Sequence, residues 1–375
     1  MTNNSRLNWL FFVVLAAGFA ARLCVAALGH NFDFDSWQIN ANIPVTANFY
    51  ALTVRYDTAP PWFFILHALN ALAGHNPALF RYFVAGFLSL ADAGILFILW
   101  RQFGALAGCW FFLNPISIIL TGYHCNCDNL AVLFGLIAVL LMKDDFEKPL
   151  TRRMLAGLVV LGFSLTIKHI FFAFPFWLAV KQRGLWQKVI VILVPVAMFF
   201  LSFAPYWHGA GREAIIQNIF LFRAYNVQYF YHTFVPQVVQ YMFTAQTIWL
   251  ACLVLFAFLY REKKPLETLL LYTCVLVAVS PATLNEYLAI PLAFIATHLN
   301  VFTILYTAFG SLHELIDCNG LHLNLTAWKT CIDIAIDMLC LSLVWVTWRQ
   351  KLIAAARAAI HWLSIEIKNQ FRAKR

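Results

Sequence analysis

PPWFFILHALNALA, Pro60 to Ala73, is the stretch on which the fold of this chain turns. If it crossed a bilayer, every later loop would change sides. Basic residues of membrane proteins collect on cytoplasmic loops. Here they form four groups: Lys143, Lys148, Arg152 and Arg153; Lys181, Arg183 and Lys188; Arg261, Lys263 and Lys264; and the tail from Arg349 to Arg375. Apolar segments near 82–100, 105–123, 129–142, 154–168, 169–180, 189–204, 237–259, 266–280, 286–300, 301–316 and 331–347 put all four on one side only if Pro60 to Ala73 stays on the membrane surface. With a first helix over Leu7 to Leu28, this predicts about twelve crossings and two cytoplasmic termini.

Composition agrees with that reading. Of 375 residues, 62% are hydrophobic and 11% charged, far from the balance of soluble domains. The expected fold class is all-α: a polytopic membrane domain over residues 1–348, then a basic amphipathic tail over 349–375 that faces anionic headgroups or a partner. Leu7 to Leu28 lacks a small-residue cleavage site and reads as a retained anchor. The net charge of +9 follows topology rather than nucleic-acid binding. The nine cysteines show no paired zinc spacing and no disulfide framework.

Keeping Pro60 to Ala73 outside makes the first external loop long, roughly Gly29 to Phe80, with two amphipathic pieces, Ser36 to Phe49 and Pro60 to Ala73, at the interface. Pro60 and Pro61 suit a first helical turn, where a missing amide donor does no harm. External polar groups then converge from distant parts of the chain. FDFDSW, Phe32 to Trp37, carries Asp33 and Asp35, which an extended stretch would point the same way. One could take a proton while the other holds substrate; a solvated turn is the plainer reading. NPISIILTGYHCNCDNL, Asn114 to Leu130, offers His124, Asn126 and Asp128 to a sugar, a phosphate or a metal, against a helix-capping role for Asp128. SLTIKHIFFAFPF, Ser164 to Phe176, sets Lys168 and His169 between two apolar segments, where a cation can meet a phosphate or snorkel to headgroups. Arg55, Asp57, Arg81, Arg212, Arg223, Asn285 and Glu286 complete the external set. Ionisable groups at membrane depth are functional candidates by default.

In this order and on one face, FDFDSW, YDTAPPW, GYHCNCD, IKHIFFAFPF and the later SPATLNEYLAIPLA resemble motifs of the GT-C superfamily of polyprenyl-phosphate-sugar glycosyltransferases. Their flavour is most similar to the glucosyltransferases that extend lipid-linked oligosaccharides and to bacterial relatives. The resemblance spans about residues 30–300. It departs at Tyr56, where Asp-Thr-Ala separates the tyrosine from Pro60 and Pro61, and in lacking the large soluble C-terminal domain of oligosaccharyltransferases. It implies a catalytic base at Asp33 with Asp35 as second acid. It also matches His124 and Asp128 to the family's external motif, Lys168 to its hairpin cation, and Asn285 and Glu286 to its late motif; the converging external groups Arg55, Asp57, Arg81, Asn126, His169 and Arg223 complete the expected substrate site.

The implied partners are a polyprenyl-phosphate sugar donor, a glycan, glycolipid or protein acceptor, and the bilayer itself. The sugar is expected to be a hexose such as mannose or glucose, transferred with inversion. No cofactor or metal is needed, because the leaving group is a phosphate monoester facing basic residues. A bacterial inner membrane with a periplasmic active face is expected, or the endoplasmic reticulum in a eukaryotic host, for which Asn324-Leu-Thr is a glycosylation pattern. The rival classes are a transporter or flippase, whose midplane charges this sequence mostly lacks, and a catalytically silent subunit.

Overall fold

The computed structural model describes residues 2–46, 48–53, 58–142, 150–221, 229–282, 285–317 and 326–349. All regular structure among them is helical. The site candidates Arg55, Asp57 and Arg223, the basic residues Lys143 and Lys148, and the tail beyond Arg349 lie outside the described residues.

Among the described residues, four helical stretches are long and apolar enough to cross a membrane. These are Trp9–Leu28 within α1 (Thr2–Leu28), α5 (Pro77–Phe103), a stretch formed by α11 (Leu185–Ser202) and the turn to Tyr206, and α19 (Thr326–Arg349). Shorter apolar helices include α8 (Asp128–Met142), α15 (Ala245–Leu259), α16 (Pro265–Ala278) and α18 (Val301–Asp317). Trp9, Leu193, Leu201 and Leu255 stand exposed on these helices, which suits a surface solvated by lipid. The chain is an integral membrane protein.

Several segments expected as single spans are broken, each at a nameable residue. The segment over 105–123 divides into α6 (Ala105–Phe112) and α7 (Pro115–Gly122), bent by 46°. Asn114 caps the second piece by accepting from the Ile116 amide, and Pro115 has no amide hydrogen with which to continue the first. The segment over 286–300 is a 3₁₀ turn, Asn285–Ala289, then Pro291 and the short α17 (Leu292–Thr297). The segment over 169–180 likewise opens with a 3₁₀ turn, His169–Phe171, before α10 (Phe174–Ala179). The segment over 237–259 divides at Phe243 into α14 (Gln237–Met242) and α15, where Thr244 caps the Thr247 amide.

In the first external loop, the helix expected from Ser36 begins instead at Phe32: α2 (Phe32–Asn40) ends before a separate α3 (Phe49–Leu52). Then comes α4 (Pro60–Leu72), with its prolines in the first turn as expected. Its 13 residues reach only about 20 Å, short of a hydrocarbon core of about 30 Å. Asn70 ties α4 to its surroundings, donating to the Ala41 carbonyl (3.1 Å) and Asn42 Oδ1 (3.0 Å) and meeting His75 Nδ1 (3.1 Å).

Charge separates along α9 (Arg152–Ile167). Arg152 and Arg153 open it and Lys168 closes it, about 24 Å apart. At the end away from Lys168 and the site it belongs to, Lys181 donates to the carbonyls of Tyr260, Arg261 and Lys263 at 2.7–2.9 Å, joining two of the basic groups. Burial there pushes the Lys181 ammonium down to about 8.

One charge pair stands where few midplane charges were expected. Arg22 of α1 donates to Asp92 of α5 (2.9 Å), to the Gly18 and Phe112 carbonyls and to Ser117, while Thr121 donates to Asp92 (2.7 Å). Both charges are fully buried, and these partners bind α1, α5 and α7 to one another.

Candidate active site

The site begins where α1 stops. Gly29, at φ +154°, leaves no Cβ to strike the Tyr123 ring 3.0 Å away, so the end of α1 can lie against the loop before α8. Asn31 then caps α2: its Oδ1 accepts from the amides of Asp33 (3.1 Å) and Phe34 (3.4 Å). Capping turns FDFDSW into helix instead of the expected extended chain, with both aspartates in the first turn, where the helix dipole favours anions. Two helical residues apart, the aspartates diverge rather than aligning. Asp33 turns inward. Asp35 stays exposed, 3.3 Å from His30 Nδ1, so the expected acidic pair is not assembled.

The capping amide has two hydrogens and uses both. Asn31 Nδ2 donates to Asp33 Oδ2 (3.1 Å) and stands 2.6 Å from His124 Nδ1. His124 sits in the loop joining α7 to α8, where Cys125 takes the left-handed φ of 53° that reverses the chain. Asn126 is nearly buried, and its Oδ1 accepts the Asp128 amide (2.9 Å), so Asn126 rather than Asp128 supplies the helix-capping oxygen. Asp128 is thereby held in the first turn of α8 with its carboxylate 3.9 Å from Lys168 Nζ, both buried.

Glu286, in the 3₁₀ turn after α16, completes the cluster. Removal from water raises its carboxyl well above the usual range; Asp33 and Asp128 push the same way, Lys168 opposes them, and a hydrogen bond with Asp33 adds to the rise. A hydrogen bond between two carboxyl groups needs one proton, and the raised Glu286 carboxyl favours keeping it. Burial, reinforced by His313, pushes His124 down to about 3, so its imidazole is neutral.

Other expected members stand apart or play smaller parts. His169 packs its ring against Phe199 of α11. Arg81 of α5 lies close enough to lower the pKa of the Cys125 thiol, which burial raises to about 12. Arg212 is exposed on α12 (Gly209–Ile215). Asn285 meets His313 Nε2 through its side-chain amide at 3.0 Å.

Two groups that sequence reasoning missed lie on α18. His313 stacks on Trp328, and its Nδ1 is 2.9 Å from the Trp328 carbonyl. Glu314, fully buried, has Oε2 3.3 Å from His124 Nε2. A signal was present: adjacent ionisable residues inside an apolar run.

Helices of membrane-spanning length, broken spans and a polar cluster at their ends define a class: an all-helical integral membrane protein. No protein-family model matches the chain, and no curated protein matches it. Among solved structures, ArnT from Cupriavidus metallidurans bound to undecaprenyl phosphate is similar over 90% of this chain and 78% of its own, at 13% identity and a TM-score of 0.51. Its apo state covers 91% and 78%, at 14% identity and 0.47. At such identity the likeness is one of fold.

Proposed function

We propose that this chain is a membrane glycosyltransferase that moves a hexose from a polyprenyl-phosphate carrier to an acceptor hydroxyl, with inversion and with Asp33 as general base. The observation that carries the reading is the meeting of Asp33, Glu286, Asp128 and Lys168, drawn from four separated segments, in one partly buried cluster. The undecaprenyl phosphate held by the similarly folded ArnT supports a lipid phosphate as the carrier. About twelve crossings, a membrane domain over 1–348, a basic tail over 349–375 and a periplasmic site in a bacterial inner membrane belong to the same reading.

In this mechanism the acceptor oxygen attacks the anomeric carbon as its proton passes to Asp33. The bond from that carbon to the phosphate oxygen breaks, and polyprenyl phosphate leaves with the electron pair. Lys168 supplies charge to the departing phosphate, releasing Asp128 as it does so. Asn31 and Glu286 each donate to Asp33 and fix its direction. No metal is required by this scheme, and loss of activity to a chelator would overturn that part.

The transporter reading has one observation in its favour, the intramembrane Arg22–Asp92 pair. Its shared partners on three helices fit a clamp better than a moving carrier site. The test is incubation of purified protein with undecaprenyl-phosphate glucose or mannose and membrane lipid extract, with products identified by mass. Asp33→Asn should lower turnover about 10²–10⁴-fold and leave donor binding intact. Near-normal turnover would move the base elsewhere.

A further inference from the structure

We propose that Glu314 is a positioning residue for Asp33, acting through His124 and Asn31; this rests on Asp33 being the base. The inference follows from hydrogen bookkeeping that starts at the helix cap. Asn31 Oδ1 accepts two backbone amides of α2, so the amide group of Asn31 cannot be reversed without turning its NH₂ onto those two donors. Its NH₂ therefore faces His124 Nδ1 at 2.6 Å and Asp33 Oδ2 at 3.1 Å. A donor facing Nδ1 requires that nitrogen to accept. In a neutral imidazole the proton must then sit on Nε2.

Nε2 stands 3.3 Å from Oε2 of Glu314, a side chain with no exposure to solvent, in a close polar contact that is not aligned as a hydrogen bond. Glu314 thus sets a carboxyl oxygen beside that nitrogen, which favours a proton there and so the one tautomer compatible with Asn31. With the other tautomer, two hydrogens would oppose each other between His124 and Asn31. Asn31 would turn away, and the hydrogen bond that aims Asp33 would go with it. The chain runs from α18 across the loop before α8 to the first turn of α2, so three distant segments agree on the direction of one carboxylate. Outer partners of this kind commonly fix the tautomer of a functional histidine.

Replacing Glu314 by Leu removes that oxygen, whereas Gln keeps one. Glu314→Leu should lower kcat about 10–100-fold on undecaprenyl-phosphate glucose or mannose, the scale of a misdirected reacting group, with the donor KM little changed. Glu314→Gln should restore most of it. Combining Glu314→Leu with Asn31→Ala should cost little more than the worse single change, because members of one chain are not additive. A purely structural role for Glu314 gives additive losses and no rescue by Gln.

Nitrogen-15 spectra of histidine-labelled wild-type protein decide the matter without any variant, once His124→Gln identifies the signal. An Nε2-protonated neutral ring is expected. The Nδ1 tautomer, or an imidazolium at neutral pH, overturns the proposal. If Asp33→Asn is inactive while Glu314→Leu is fully active, the proposal fails and the base assignment stands. Full activity of Asp33→Asn sinks the base assignment itself, and the tautomer then still judges the chain.

Discussion

In the proposed mechanism Glu286 holds the proton that lets two carboxyl groups share one small site. While it is protonated, it donates to Asp33; once ionised, it sets a second anion beside the base and against the departing phosphate. Because its pKa is raised, that ionisation comes at alkaline rather than acidic pH, so activity should fall as pH climbs through the raised value. Glu286→Gln keeps a donor toward Asp33 but cannot ionise. Its kcat–pH profile should lose the alkaline limb and keep the acidic one; an unchanged alkaline limb would remove Glu286 from this role. His124, pushed down to about 3, contributes no limb near neutrality. The residues legible in the sequence, Asp33, His124, Asp128, Lys168 and Glu286, are charged or histidine groups next to apolar runs. Asn31 was hidden because a capping amide looks like any loop residue, and Glu314 because its surroundings read as a span.

Elements were legible where apolar length decides them and less so where a single residue breaks them. α5 reads from its letters, but the bend between α6 and α7 depends on Asn114 and Pro115 acting together, and the direction of Asp35 on whether Asn31 caps a helix. Close packing is beyond such reading altogether. A Cβ added at Gly122 would stand 2.5 Å from the Arg22 carbonyl oxygen, so α1 and α7 would have to part. Gly122→Ala should destabilise the protein by about 1–3 kcal/mol, the usual cost of overpacking. Gly86, in α5, has nothing within 4 Å of such a Cβ. Gly86→Ala should be neutral or stabilise by up to about 1 kcal/mol, since alanine is the better helix former. Unfolding midpoints in detergent compare the two, and equal shifts would refute the contact.

Across the whole molecule, a clamp inside the membrane and an asymmetry along the helices set where the site can stand. Asp92→Leu leaves the buried Arg22 guanidinium without its counter-ion and should cost about 3–5 kcal/mol; Arg22→Met with Asp92→Leu should recover part of that in the same unfolding measurement. The asymmetry yields a sharper test. Lys181, Arg261 and Lys263 meet at one end, while Lys168 closes α9 about 24 Å from its basic start, beside Asp128. For Asp33 to share the Lys168 end, the chain between α1 and α5 must return to the side it left, which α4 permits by being too short to cross. The exposed turn at Gly74–Asn76 should then lie on the side of Asp33. In a variant whose native cysteines are replaced, Pro77→Cys should react with a membrane-impermeant maleimide on intact cells, and Lys264→Cys only after permeabilisation. Protection of position 77 until permeabilisation would make α4 a crossing and put the basic loops outside. It would also strand Asp33 across the membrane from Lys168, which the hydrogen bond between Asp33 and Glu286 beside that lysine does not allow.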